Sequence, residues 1–183
     1  MDIVIIDGNP DANDTEYENY LDSLARHLMD SKHIVKRMRL REMKIKYCIG
    51  CWSCWVKTPG RCFVSDDSHE VCREYIHADF VLFSSPVIMG FTSALLKRAQ
   101  DKLIPLLHPY IVIDQNESHH RKRYDSYPGI GLLLKPSRDT DREDIEIIND
   151  IYHRFALNFK STLSFSKNMN DNIEEVANAI NSL

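Results

Sequence analysis

Three short runs, Ile3-Val4-Ile5-Ile6, Phe80-Val81-Leu82-Phe83 and Ile130 to Leu134, are apolar without interruption by charge. A strand with one wet face alternates apolar and polar residues, so unbroken runs of this length predict strands buried on both faces. Between them lie segments with apolar residues at spacings of three and four. Tyr17, Tyr20, Leu21, Leu24, Ala25, Leu28 and Met29 form the clearest helical face. Asn13 with Glu16, and Thr140 with Glu143, read as capping pairs at helix starts. Further helices are expected from about Asp66 to His77, over Leu95, Leu96, Ala99 and Leu103, after the Thr140 cap with a face of Ile148, Ile151, Tyr152, Phe155, Ala156 and Phe159, and over Ile173, Val176, Ala177 and Ile180. Two more strands are diluted. Ile34 to Leu40 carries Lys36, Arg37 and Arg39, and Leu163 and Phe165 alternate with Thr162, Ser164 and Ser166.

Five strands alternating with helices imply a parallel sheet covered on both sides, a three-layer αβα sandwich. Placing the diluted strands at the edges gives the order 2-1-3-4-5. The 183 residues suffice for one domain, and no repeat or linker divides them. Two stretches stand outside the strand–helix alternation: a cysteine-rich loop at 47–63 and a polar segment at 108–128, read as irregular.

The formal charge of −4 removes the usual signature of nucleic-acid binding, and no apolar stretch approaches a membrane span. Asp2-Ile3-Val4-Ile5-Ile6-Asp7 lacks the basic start and cleavage site of a secretory signal, so a cytoplasmic location is expected. Disulfides are rare in a reducing cytosol, which points Cys48, Cys51, Cys54 and Cys62 toward metal binding, redox chemistry or packing. Cys72 fits the apolar face of its helix with Val71, Tyr75 and Ile76. Trp52 and Trp55 read as packing or interface residues, and His119-His120-Arg121-Lys122-Arg123 as a solvated charge run.

In an open parallel sheet, ligands bind beyond the carboxyl ends of the strands, where the winding reverses. Here that point falls between the loops Gly8 to Thr15 and Ser85 to Thr92. The first leads into a helix N-terminus, suited to a phosphate; the second is short, apolar and contains Gly90, suited to a flat ring.

Three segments carry a family resemblance: Gly8-Asn9-Pro10-Asp11, Cys48-Ile49-Gly50-Cys51-Trp52-Ser53-Cys54 and Ser85-Pro86-Val87-Ile88-Met89-Gly90. In this order and at these places, they resemble the flavodoxin-like NADPH-dependent FMN reductases and iron–sulfur flavoproteins. The resemblance implies a flavodoxin-like fold and an FMN cofactor. Its phosphate would be held by Asn9, Pro10, Asp11, Asn13, Asp14 and Thr15, and its ring lined by Ser85, Pro86, Val87, Ile88, Met89 and Gly90. Lys135 and Pro136, with Ser137, would close the other side.

The resemblance further implies an NAD(P)H-dependent oxidoreductase passing hydride to flavin N5 and onward to a small-molecule or protein electron acceptor, in a homodimer or larger assembly. No side chain is assigned as a catalytic acid or base. Cys48, Cys51, Cys54 and Cys62 match the ligand set of a [4Fe–4S] cluster, though related chains also keep such cysteines without one. Where the family carries a hydroxyl and a basic residue in the phosphate loop, this chain has Asn9 and Asp11, with Asp14 and Glu16 close by. That substitution leaves two alternatives open: an FMN and [4Fe–4S] electron carrier, or a non-enzymatic domain that has lost flavin.

Overall fold

Neighbouring residues of the first strand face opposite ways, and both faces meet apolar partners. The computed structural model describes residues 1–114 and 116–183. β1 (Asp2–Asp7) leads through a loop to α1 (Thr15–Asp30) and to β2 (Ile34–Arg39). The cysteine loop contains a single turn of helix, α2 (Ser53–Val56), before α3 (Ser68–His77). β3 (Phe80–Ile88) turns back into the short β4 (Phe91–Thr92), and α4 (Ala94–Asp101) follows. β5 (Leu107–Asp114) and β6 (Glu117–Lys122) form a pair of their own. β7 (Gly129–Lys135), α5 (Arg142–Asn158), β8 (Leu163–Asn168) and α6 (Ile173–Asn181) complete the chain.

The main sheet runs β2-β1-β3-β7-β8, all parallel, with β4 attached antiparallel to the end of β3. This is the 2-1-3-4-5 order expected from the sequence, with both diluted strands at the edges. Ile3 and Ile5 pack with Phe80, Leu82 and Leu133 against α1 and α6. Val4 and Ile6 pack with Val81, Phe83, Leu132 and Leu134 against α3, α4 and α5. An unbroken apolar run is thus what a strand between two helical layers requires. Among the described residues, no helix is long and apolar enough to cross a membrane.

Local boundaries differ in instructive ways. Asp14, rather than Asn13, caps α1, its carboxylate accepting the Tyr17 N–H at 3.1 Å. The capping box of α5 is Asp141 with Asp144, one residue beyond the Thr140–Glu143 pair, because Thr140 Oγ1 accepts the Ser137 N–H instead. α3 begins at Ser68, since the Asp66 carboxylate accepts the Ser68 N–H. Leu103 lies beyond the end of α4.

The segment 108–128 is not irregular over most of its length. β5 and β6 pair antiparallel, with Ile111 opposite His120 and Val112 opposite His119. Gln115, within that segment, lies outside the described residues. The sequence hides this hairpin because Ile111 and Ile113 face outward while β6 carries almost no apolar residue. Neither strand therefore shows an apolar face turned to a core.

Candidate functional site

The carboxyl ends of β1, β3 and β7 are drawn together by specific bonds. The Gly8 N–H donates to Ser84 O at 2.8 Å, and Ser93 Oγ donates back to Gly8 O at 2.5 Å. Tyr17 of α1 is fully buried and its hydroxyl donates to Ser84 Oγ at 2.8 Å. Lys135, at the end of β7, reaches across to Asp14, with Nζ at 2.7 and 3.0 Å from its two carboxylate oxygens. The two loops predicted to hold a ligand, and the end of β7, are therefore one locus in space.

Within that locus the predicted residues divide. Asn9 is buried: its N–H donates to Asp7 Oδ1, and its amide donates to Asp11 O and Glu18 Oε1. Ser85 is buried as well, donating to Pro86 O and accepting the Ser93 N–H. Val87 is packed into the core. These three build the frame. Pro10, Asp11, Asn13 and Thr15 are exposed, as are Ile88 and Met89 at the β3–β4 turn, while Gly90, Pro86, Asp14, Lys135 and Pro136 are half-buried.

Met89 and Gly90 form the tip of that turn, with φ of +51° and +75°. Both angles suit the tight turn of a hairpin, and glycine takes the second at no steric cost. A Cβ on Gly90 would also stand 2.5 Å from Asp144 Oδ1. The turn leaves Met89 99% exposed, beside a partly exposed Ile88. This apolar tip stands at the carboxyl end of the sheet, where a flat ring would find apolar contact.

The acidity that looked adverse to a phosphate is partly offset by cations whose pairing the sequence pattern did not reveal. Lys135 pairs with Asp14 and with Glu16 at 2.8 Å. Burial alone would lower the Lys135 ammonium pKa, but its bonds to Asp14 and Glu16 outweigh burial and raise it. Behind the loop, Arg37 is only 7% exposed and grips Asp7 through Nε at 3.0 Å and Nη2 at 2.7 Å. It also meets Glu18 at 2.9 Å and Asp22 at 2.6 Å. Arg41 reaches Glu18 at 2.9 Å. Burial pushes the Glu18 carboxyl upward, yet Arg41, Arg37 and Asn9 together bring it below its ordinary value. Asp11 takes part in no ion pair among the described residues; its carboxylate accepts the Asn13 N–H at 2.8 Å. The residues thus fit a phosphate-bearing cofactor, opposed by exposed Asp11 and by the one negative charge that Lys135 leaves on Asp14 and Glu16.

The cysteine loop forms a second locus. Gly50 and Trp52 both have left-handed backbones, with φ of +63° and +58°, and so turn the chain on either side of Cys51. Trp55 anchors the loop, its Nε1 donating to Leu107 O at 3.0 Å, and Trp52 stacks on it at 4.8 Å. Trp55 serves packing, while Trp52 stays more than half exposed on top of it. Cys48, Cys51, Cys54 and Cys62 all line one cavity of about 440 Å³. Cys48 and Cys51 are exposed, Cys54 is buried and Cys62 is half-buried. Among the described residues no set of three or more His, Cys, Asp or Glu converges on a single metal ion. A [4Fe–4S] cube makes a different demand, because its thiolates stand at separate corners. Four thiols around one cavity fit that donor set in chemistry and number.

Sequence reasoning missed the arginines that face α1 and the buried Lys102 beside Cys62. The signal for the first was present. Arg37 and Arg39 fall at a spacing of two, on one side of β2, and Arg41 follows two residues later in the 3-10 turn that ends the strand.

Comparison with known proteins bears on the family and the fold. A 33% identical match over 88 residues joins the chain to an iron–sulfur flavoprotein of Archaeoglobus fulgidus, covering 48% of this chain and 39% of that protein. A second, 37% identical over 67 residues, is an iron–sulfur flavoprotein of Methanocaldococcus jannaschii, covering 37% and 34%. The chain thus matches well under half the length of these two relatives. Among solved structures, an azoreductase of Bacillus anthracis superposes with a TM-score of 0.67 at 14% identity over the whole of both chains. An FMN-dependent NADH-azoreductase of Bacillus anthracis in complex with FMN gives 0.62 at 13%, covering all of this chain and 95% of the other. These two likenesses establish the flavodoxin-like fold. The sequence profile of the NADPH-dependent FMN reductases matches residues 1–123, about two thirds of the 183. By that match the chain belongs to the NADPH-dependent FMN reductase family, a family of flavin oxidoreductases.

Proposed function

We propose that this chain is an FMN-dependent NAD(P)H oxidoreductase, with its flavin at the junction of β1, β3 and β7. The observation that carries the reading is the Lys135 bridge to Asp14 and Glu16, whose ammonium offsets one of their two negative charges beside the phosphate loop. Pro10 to Thr15 would hold the phosphate, and Ile88, Met89 and Gly90, with Pro86, would face the ring. Lys135 and Pro136 would close the far side of the site. Asn9, Ser85 and Val87 act by holding the loops in place. FMN, when bound, supplies the hydride and electron chemistry, so no side chain is required as acid or base. The acceptor is a small molecule or a protein. Exposed Tyr47, Ile49, Trp52, Val56 and Phe63 on the cysteine loop support self-association into a dimer or larger assembly.

The test is a visible spectrum of protein purified without air, followed by FMN titration and assay of NAD(P)H oxidation. A flavin double band, or saturable quenching of FMN fluorescence, together with nicotinamide oxidation is expected. Protein that stays colourless and binds no FMN overturns the proposal.

A second reading is favoured by a specific observation, the four thiols around one cavity. In this reading Cys48, Cys51, Cys54 and Cys62 hold a [4Fe–4S] cluster and the protein carries electrons between protein partners. Iron and sulfide at about four each per chain support it; an iron-free protein after anaerobic reconstitution refutes it.

A further inference from the structure

Lys102 is a charged residue in a place where charge is costly. It follows the last turn of α4, is only 2% exposed, and lines the four-cysteine cavity. Its Nζ donates to Cys62 Sγ at 3.2 Å and stands 3.3 Å from Asp66 Oδ2, itself buried. Its backbone is held in turn, because Cys72 Sγ donates to Lys102 O at 3.2 Å. A buried ammonium persists only when paired and hydrogen-bonded. Here one partner is a carboxylate and the other is a sulfur of the cysteine set. A lysine stem needed only for packing would send its ammonium to solvent. This one is turned inward, toward the sulfur.

We propose that Lys102 is the residue that sets the reduction potential of an iron–sulfur cluster in this cavity, with Asp66 moderating it. The inference rests on the second reading above. Four thiolates around a cluster carry net negative charge, and one-electron reduction adds another. Potentials of such clusters respond to net charge and to hydrogen bonds on the sulfurs. A fixed positive charge at hydrogen-bond distance from a ligand sulfur favours the reduced form more than the oxidised form, and so raises the potential. Asp66 acts in the opposite sense and also orders the loop, accepting the Lys46 and Ser68 N–H groups. Lys102 touches no reacting atom and is a positioning residue for charge.

The experiment is anaerobic reconstitution followed by dye-mediated redox titration of the full chain. Lys102→Gln keeps an N–H donor for the sulfur and removes the charge; Lys102→Arg keeps both. The expected result is a lower potential for Lys102→Gln, a near-native one for Lys102→Arg, and a higher one for Asp66→Asn, with iron content unchanged. Opposite shifts at Lys102 and Asp66 cannot come from a general loosening of the loop. Should Lys102→Gln bind a full cluster at the native potential, or both neutral variants shift the same way, the role of Lys102 is refuted while the cluster stands. If the wild-type chain takes up no iron, the cluster reading falls and the role of Lys102 falls with it.

Discussion

Replacing Arg37 by methionine tests the charged frame behind the phosphate loop. The Asp7 carboxylate is wholly buried and receives two bonds from Arg37, at 2.7 and 3.0 Å, and one from the Asn9 N–H at 2.9 Å. Arg41 stands farther off, at 3.6 Å. Removing one partner of a buried ion pair costs about 3–5 kcal/mol, because the other charge is left without compensation. Arg41 and the Asn9 amide remain, which places the expected loss near 3 kcal/mol, the lower end of that range. With an unfolding entropy of about 2.1 cal/mol/K per residue, a chain of 183 residues should lose roughly 8 °C in Tm. Urea and thermal unfolding followed by circular dichroism measure both quantities. The double variant Asp7→Asn with Arg37→Met, which removes both charges of this buried pair, should recover part of the loss. A single variant within 1 °C of native, or a double variant no more stable than the single, would refute the reasoning.

Four other outcomes follow from the same geometry. Lys135→Gln should weaken FMN binding about tenfold, since a dianion about 8 Å from the lost charge in a largely aqueous dielectric is worth roughly 1.4 kcal/mol. Asp11→Arg should strengthen binding, and fluorescence titration at rising salt should shrink both effects; an unchanged Kd in both variants would count against a phosphate at this loop. Gly8→Ala should destabilise by about 1–3 kcal/mol through overpacking, because a Cβ there meets Leu96 Cβ at 2.7 Å and Ser84 O at 3.1 Å; a native denaturation midpoint would contradict it. Glu18 titrates below its ordinary 4.5 in the fold. Its stabilising contribution is therefore complete above that value and is lost as pH falls through the lowered one. Glu18→Gln should flatten the acid limb of a stability–pH curve, and an unaltered limb would show that Glu18 contributes nothing to it.

Much of this protein was legible in its residues because burial on two faces leaves a one-dimensional trace. Ile3 to Ile6 and Phe80 to Phe83 have to be central strands, and lysine and arginine in Ile34 to Leu40 push that strand to an edge. The loops that meet beyond β1 and β3 follow from the strand order alone. Tertiary structure decided the rest, because charge pairing and solvent-facing strands leave no such trace. Lys135 lies 121 residues from Asp14, yet it neutralises it. Arg37 reads as an edge-strand charge, and only the packing of α1 against β2 turns it into the buried partner of Asp7. The hairpin of β5 and β6 turns its isoleucines outward, so no buried face announces it. The gathering of Cys62 with Lys102, 40 residues apart, depends on how α4 ends against the cysteine loop. Local pattern determines which segments must be buried. Which charges meet is determined by the fold that burial brings about, because an ion pair is made between segments and is written in neither one.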